Sequence, residues 1–474
     1  MSRADIIFLL PHLMLTLGAV LVMMAIAVRR NHFAVYVLTC LTLIVALYFL
    51  PKTASLPHNV GVLFVVDGLG VFNTMIIMLA ALAVALMSYA YFDTREERTG
   101  EYYMLFILAT FGACIMVISG HFVSFFLGLE ILSVSLYGMI AYLRKRERSD
   151  EAGIKYLILA AFSSAFLLFG MALIYAATGD MTFEGLSGYF SAFDELPILV
   201  MTGVGLVVVG AGFKLSVVPF HMWTPDVYEG APAPVAAFIS TISKGATMVL
   251  LVRFFLAIDG FRFPVVLTIF TVISIASMVV GNILALRQQN VKRILAYSSI
   301  AHFGYLLVAF IAADELGVEA VNFYLVAYFA TMLGAFGVVT VLSHPERDAE
   351  LLDDYRGLLW SRPALATVFV VTLLSLAGIP LTAGFVAKFY LLASGISTNQ
   401  WLLVILLVVN SIVGLFYYIR IVAVMFDSAE EREARPAGYV GNFATLLILV
   451  VLLVWFGVSP QGLIDVIRNL VGVG

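Results

Sequence analysis

Fourteen apolar stretches follow one another along the chain, most of them about as long as the roughly 20 residues a helix needs to cross a bilayer. They lie at about 5–28, 33–51, 68–92, 102–119, 121–143, 152–177, 197–218, 234–257, 264–286, 291–312, 318–343, 361–395, 400–426 and 438–458. In lipid only helices satisfy every backbone group within their own segment. The pattern therefore predicts an all-α polytopic membrane protein with about 14 transmembrane helices. Composition excludes the alternatives. Of 474 residues, 62% are hydrophobic and 12% charged, about half the usual charged share, and mean hydropathy is +1.06. Such a chain cannot cover a water-soluble surface, and a membrane barrel would read as short alternating segments instead. The connections are short, so 1–474 reads as a single membrane domain, with a short amphipathic piece from Leu463 to Leu470 at its end.

The net charge of −4 gives no basic footprint for nucleic acid. Cys40 and Cys114 each stand alone in apolar runs, so neither a disulfide nor a metal or iron–sulfur site is expected. No phosphate loop, dinucleotide fingerprint or nucleophile elbow occurs. The first apolar run, ending at Arg29 and Arg30, is too long for a signal-peptide core and reads as a first span.

Loop charge predicts the orientation. With the N-terminus outside, seventeen Lys and Arg fall in inner loops, including Arg144, Lys145, Arg146 and Arg148. Five fall outside: Arg3, Lys52, Arg253, Arg262 and Arg468. The positive-inside rule then places both termini on the outer side of the membrane.

Four lysines remain, Lys155, Lys214, Lys244 and Lys388, all within predicted spans. Glu130 lies about ten residues into span 5 and His302 near the middle of span 10. A charge at the bilayer centre costs about 3 kcal/mol or more, so such groups usually face a bundle interior and serve ion movement. Glu130 reads as a proton carrier or an ion-pair partner, against a plain polar contact between helices. Lys244 is too deep to snorkel, whereas Lys155, about five residues into its span, has snorkelling to the interface as a serious competitor. His302, beside Ser298, Ser299 and Tyr305, is either a neutral hydrogen-bonded imidazole or a relay. Asp226 and Glu229 either gate or are solvated.

Two spans are interrupted. Four prolines crowd the run PFHMWTPDVYEGAPAP, so span 7 ends or breaks near Pro219. Gly378-Ile379-Pro380 interrupts the 35-residue apolar stretch of span 12. The breaks are five spans apart, as are Glu130 and His302. An odd repeat unit flips in the membrane, which predicts two inverted five-helix repeats at 102–257 (spans 4–8) and 264–426 (spans 9–13). Paired broken helices at matching positions point to a transport site.

The run GFKLSVVPFHMWTPDVYEGAPAPVAAFISTISK, from Gly212 to Lys244, closely resembles the antiporter-like membrane subunits of respiratory complex I, the proton-conducting membrane transporter family. So do FLGLEILSVSLYG, VKRILAYSSIAHFGYLLVA, YRGLLWSRP and LLSLAGIPLTAGFVAKFY, over essentially the whole chain. The details resemble the N-type members, with Lys at 388 where the sister M type carries Glu and no long C-terminal lateral helix. The resemblance implies a proton-translocating subunit of an NADH:quinone oxidoreductase in a bacterial cytoplasmic membrane. In it Glu130 is the span-5 carboxylate paired to Lys214, Lys155 the span-6 lysine, Lys244 the central lysine, His302 part of the span-10 relay and Lys388 the terminal residue. It also implies partner subunits, sister antiporter-like ones among them, that hold flavin, iron–sulfur clusters and quinone, with no cofactor in this chain. A cation/proton antiporter or membrane-bound hydrogenase subunit of the same family is the alternative. A quinone-binding redox subunit would need ligands that this sequence lacks, and a structural spacer would not need four intramembrane lysines.

Overall fold

Lipid-length helices dominate the computed structural model, which describes residues 2–50, 57–95, 98–427 and 440–471. In chain order the helices are α1 (Arg3–Val28), α2 (His32–Phe49), α3 (Gly68–Asp93), α4 (Gly100–Val117), α5 (Phe122–Ile140), α6 (Glu147–Thr178), α7 (Phe183–Ser191), α8 (Ile198–Leu215), α9 (Trp223–Gly230) and α10 (Ala233–Phe238). They continue with α11 (Lys244–Ala257), α12 (Pro264–Leu286), α13 (Val291–Ala312), α14 (Glu315–Leu342), α15 (Leu358–Ser361), α16 (Pro363–Ala377), α17 (Ala383–Ser397), α18 (Trp401–Phe426), α19 (Val440–Val458) and α20 (Gln461–Val471). Among the described residues, 13 helices are long and apolar enough to span, α10 and α11 counting as one. The shorter α16 and α17 together make the remaining, broken span.

The all-α expectation misses one feature. Strands β1 (His58–Val60) and β2 (Phe64–Val66) pair antiparallel with His58 opposite Val66. The β-branched run turns at Gly61, whose φ of 58° suits glycine. The amphipathic tail is α20, which buries Ile464, Ile467 and Val471.

The spans form an inner and an outer set. The most apolar window of the span Ala233–Ala257 is wholly buried, and those of α13 and α14 are buried over 94% and 89%. Helices α1, α2, α6 and α19 are buried over only 28–33%, and their outward faces are apolar, as with Phe162, Phe166 and Phe169 of α6. Lys244 and His302 thus sit on the innermost helices, deep among buried side chains.

Both predicted interruptions are real breaks. Helix α8 stops at Ser216 (φ 62°), followed by a cis Val218–Pro219 bond and the short α9. Helix α16 stops at Gly378, whose φ of 82° falls in the left-handed region. A Cβ at Gly378 would also meet Lys388 Cδ at 2.8 Å, so glycine is needed there twice over. A third irregularity is not legible in the sequence: Ile239–Ser243 is a π-helical turn immediately before Lys244. Such turns are often found at functional sites.

Candidate functional site

The break after α8 places Lys214 in that helix's last turn, 2% exposed. Its ammonium donates to Ser133 Oγ of α5 at 2.7 Å and to Tyr156 OH of α6 at 2.8 Å. Burying an ammonium is costly unless its donors are met, and the nearby negative end of the α8 dipole favours it further. Glu130 sits one turn before Ser133 on α5 and accepts from Ser164 Oγ of α6. The expected direct ion pair between Glu130 and Lys214 is not formed. Ser133, three residues on and on the same helix face, takes the ammonium instead, while Ser164 takes the carboxylate. Lys214 faces a narrow cleft lined also by Ser133, Ser163, Ser164 and Gly210.

Lys244 opens α11 at zero exposure. It donates to Ser299 Oγ at 2.7 Å, and Tyr328 OH donates to that same oxygen at 2.7 Å. The rings of Phe303 and Tyr228 lie 5.2 and 5.5 Å from its ammonium, a favourable cation–π placement. One turn beyond Ser299 on α13, His302 has both ring nitrogens engaged: Nδ1 with Tyr324 OH at 2.6 Å and Nε2 with Tyr418 OH at 3.1 Å. Tyr418 is in turn hydrogen-bonded to Ser298.

Lys388 lies on α17, beyond the second break, and reaches back to the end of α16. It donates to the carbonyls of Leu376 and Ala377, both at 2.9 Å, and to Ser411 Oγ at 2.7 Å. These carbonyls are among those a helix C-terminus leaves unpaired. A small cavity lined by His302, Tyr324, Tyr328, Thr331, Ser375 and Lys388 joins the lysine to the imidazole. Lys214, Lys244, His302 and Lys388 are therefore all buried with neutral partners, and none of them is in an ion pair among the described residues.

Lys155 is different. It is on α6, which begins at Glu147, five residues earlier than the apolar pattern suggested. Its side chain is 42% exposed and pairs with Glu151 at 2.6 Å and Asp226 at 2.9 Å. It belongs to an ionic cluster over the break, not to the buried row. In that cluster Arg293 bridges Asp226 and Glu229, at 2.8 and 2.7 Å, and Arg148 bridges Glu229 and Glu350, at 3.1 and 3.0 Å. A polar basin lined by Arg148, Glu151, Lys155, Asp226 and Glu229 lies there. Burial pushes the Asp226 carboxyl up, but hydrogen bonds from Lys155 and Arg293 outweigh it and hold its pKa below the ordinary value.

Sequence reasoning missed the hydroxyls of Ser133, Tyr156, Ser164, Tyr324, Tyr328 and Tyr418. Ser133 follows Glu130 by three residues and Tyr328 follows Tyr324 by four, spacings that put each pair on one helix face. Tyr156, Ser164 and Tyr418 carry no such signal. The loop-charge count took Lys292 and Arg146 only as inner-loop charges and named no partner for either. Lys292 is instead 1% exposed and paired at 2.9 Å with Asp348, itself buried, and Arg146 meets the same carboxylate at 3.1 Å. Burial pushes that carboxyl up, but the two cations hold its pKa well below the usual range. Of the other counted cations, Lys52, Arg432 and Arg435 lie outside the described residues.

Residues 119–414 match the family model described as NADH:quinone oxidoreductase/Mrp antiporter, transmembrane. The chain is 45% identical over 480 residues to NADH-quinone oxidoreductase subunit N of Ectopseudomonas mendocina (strain ymp), covering 99% of this chain and 97% of that protein. Among solved structures it is similar to a chain of respiratory complex I from Thermus thermophilus, at 31% identity and a TM-score of 0.84, covering 96% of this chain and 98% of that one. The Mrp complex of Dietzia sp. DQ12-45-1b contains a chain of the same fold, at 21% identity and a TM-score of 0.86, covering 99% of this chain and 97% of that one.

Proposed function

The chain belongs to the NADH:quinone oxidoreductase/Mrp antiporter family, and from that membership we propose that it is the proton-translocating membrane subunit of a bacterial NADH:quinone oxidoreductase. Electron transfer takes place in partner subunits, which hold the flavin, iron–sulfur clusters and quinone. The redox-driven signal from those subunits is turned into proton movement along the buried row in this chain. The antiporter alternative is not favoured: the likeness to the Mrp chain, at 21% identity, is one of fold, whereas the subunit N relative stands at 45% over the full length.

The observation that carries this reading is the burial of Lys244, at zero exposure and hydrogen-bonded to a neutral hydroxyl. An ammonium in that place has no ion-pair partner among the described residues and meets a hydroxyl that can itself pass on a proton, so it is fitted to take up and release one. Hydroxyls and imidazole continue the row from Lys244 toward Lys388. Ser133 and Tyr156 hold Lys214, Ser299 and Tyr328 lead from Lys244 toward His302, and the cavity leads on to Lys388. Each hydroxyl both donates and accepts, as a proton relay requires. Glu130 sets the charge felt by Lys214. Ser216 Oγ, His221 Nδ1 and Thr224 Oγ1 are buried along the first break without a hydrogen-bond partner among the described residues, the kind of polar group that buried water serves in proteins.

The two-repeat organisation at 102–257 and 264–426 has support in the packing. Helix α4 packs on α5 as α12 packs on α13. In each pair glycines bring the backbones close: Gly112 against Gly128, and Gly281 and Gly304 against the facing helix. With fourteen spans both termini lie outside. Single cysteines at Arg146 and Glu184 should then label from opposite sides, and same-side labelling would reject that topology. Reconstitution of the assembled complex tests the function. Lys244→Ala should lower NADH-driven pumping and quinone reduction together, by about 10²-fold for loss of a proton carrier. Normal pumping at normal assembly would make Lys244 a structural residue.

A further inference from the structure

We propose that Lys292 and Asp348 are positioning residues for proton transfer at Lys244, holding the joint between α9 and α10 against the central lysine. This rests on the reading of Lys244 as a proton carrier. The joint is the turn Gly230–Pro232, between helices of eight and six residues. A helix end leaves carbonyls unpaired, and a proline at the next helix start brings no N–H to meet them. Lys292 Nζ supplies the missing donors. It donates to Glu229 O at 2.8 Å and to Ala231 O at 2.7 Å, spending its third proton on Asp348 Oδ2 at 2.9 Å. All three donors of a buried ammonium are thereby directed at fixed points.

Asp348 is held in turn from two other directions. Tyr91 OH of α3 donates to its Oδ1 at 2.7 Å, and Arg146, in the turn before α6, donates at 3.1 Å. The carboxylate ties α3, the start of α6 and α13 to the joint. What the joint carries is chemical. Tyr228, one residue before Glu229, lays its ring 5.5 Å from the Lys244 ammonium. The side chains of Asp226 and Glu229 on the same short helix meet Arg293. An eight-residue helix has little internal stability, so its place is set by such anchors. If the joint is released, the Tyr228 ring and the polar basin shift together relative to Lys244.

The test uses the assembled complex in proteoliposomes, with NADH-driven quinone reduction and pH-gradient formation expressed per flavin. Lys292→Met and Asp348→Asn should each lower turnover per assembled complex about ten-fold, the scale on which a displacement of an ångström or less costs rate. Lys292→Arg, which keeps a charged multiple donor, should recover most of the loss. Lower assembly with wild-type turnover per flavin would overturn the proposal, as would an Arg variant no better than Met. If Met and Asn variants do not assemble, Tyr91→Phe decides: about two-fold lower turnover is expected from losing one hydrogen bond to Asp348, and wild-type turnover overturns the proposal. Lys244→Ala run in parallel separates the two readings. Normal pumping in that variant removes the proton-carrier role itself, whereas loss there with normal turnover in the Lys292 and Asp348 variants removes only the positioning role.

Discussion

The two helix breaks solve one problem in opposite ways. Each places a buried ammonium at the C-terminal end of a half-helix. Lys214 belongs to the helix that ends, and side-chain hydroxyls from two other helices, Ser133 and Tyr156, receive it. Lys388 belongs to the following half-helix and reaches back to two main-chain carbonyls of the one that ended, with a single hydroxyl, Ser411, beside them. The first arrangement depends on how α5, α6 and α8 pack. The second is built into the break itself, since Gly378 forms the turn and leaves room for the lysine. A site assembled from neighbouring helices responds to any shift between them; a site closed within one broken span does not. On this comparison the Lys214 end is the adjustable one, and a carboxylate, Glu130, stands within one helical turn of its partner Ser133.

Predictions on pumping per assembled complex follow in order of size. The largest effect belongs to the adjustable end. Glu130→Ala and Lys214→Ala should each cost about 10²-fold if a proton-transfer group is lost. The double variant should be no worse than the poorer single one. Strictly additive losses in that double-mutant cycle would show that the two do not act together.

The next effect separates the ends by side-chain removal. Tyr156→Phe deletes a neutral partner of a buried cation, worth about 2 kcal/mol, and should slow turnover about ten-fold. Ser411→Ala leaves Lys388 its two carbonyls and should stay within about three-fold of wild type. Equal losses would erase the distinction between a packed and a built-in site.

A smaller effect is expected at Gly378. Gly378→Ala forces a left-handed φ onto a residue with a Cβ, at about 1–2 kcal/mol, and crowds Lys388. It should lower thermal stability and slow pumping, while Ser216→Gly, at the left-handed position of the other break, should be neutral or slightly stabilising. A Gly378→Ala variant as stable and active as wild type would contradict the built-in view.

The smallest effect concerns pH. Asp348 has its pKa held below the unfolded value of 3.8, so its stabilising contribution is complete above that value and is lost as pH falls through the lower, folded pKa. In thermal melts of the complex, the difference between wild type and Asp348→Asn should be constant from pH 8 down to about 5 and shrink only in acid. A difference that vanishes near neutrality would mean the carboxylate is not held ionised.

The sequence alone determined the membrane class, the fourteen spans and the burial of Lys214, Lys244, His302 and Lys388. These follow from local quantities: an apolar run of sufficient length, a proline or glycine that ends a helix, and the cost of an ammonium far from any loop. Lys244, His302 and both breaks were legible for that reason. Only the tertiary structure decided which partner each charge takes. Lys214 goes to Ser133 and Tyr156 rather than to Glu130, Lys155 leaves the row for Asp226, and Lys292 turns from a counted loop charge into the anchor of the α9–α10 joint. A hydrogen bond acts over about 3 Å and joins residues that here lie 58, 71 or 81 positions apart in the chain. Hydrophobic periodicity sets which helices exist, but the rotation and height of one helix against another decide which hydroxyl meets which ammonium.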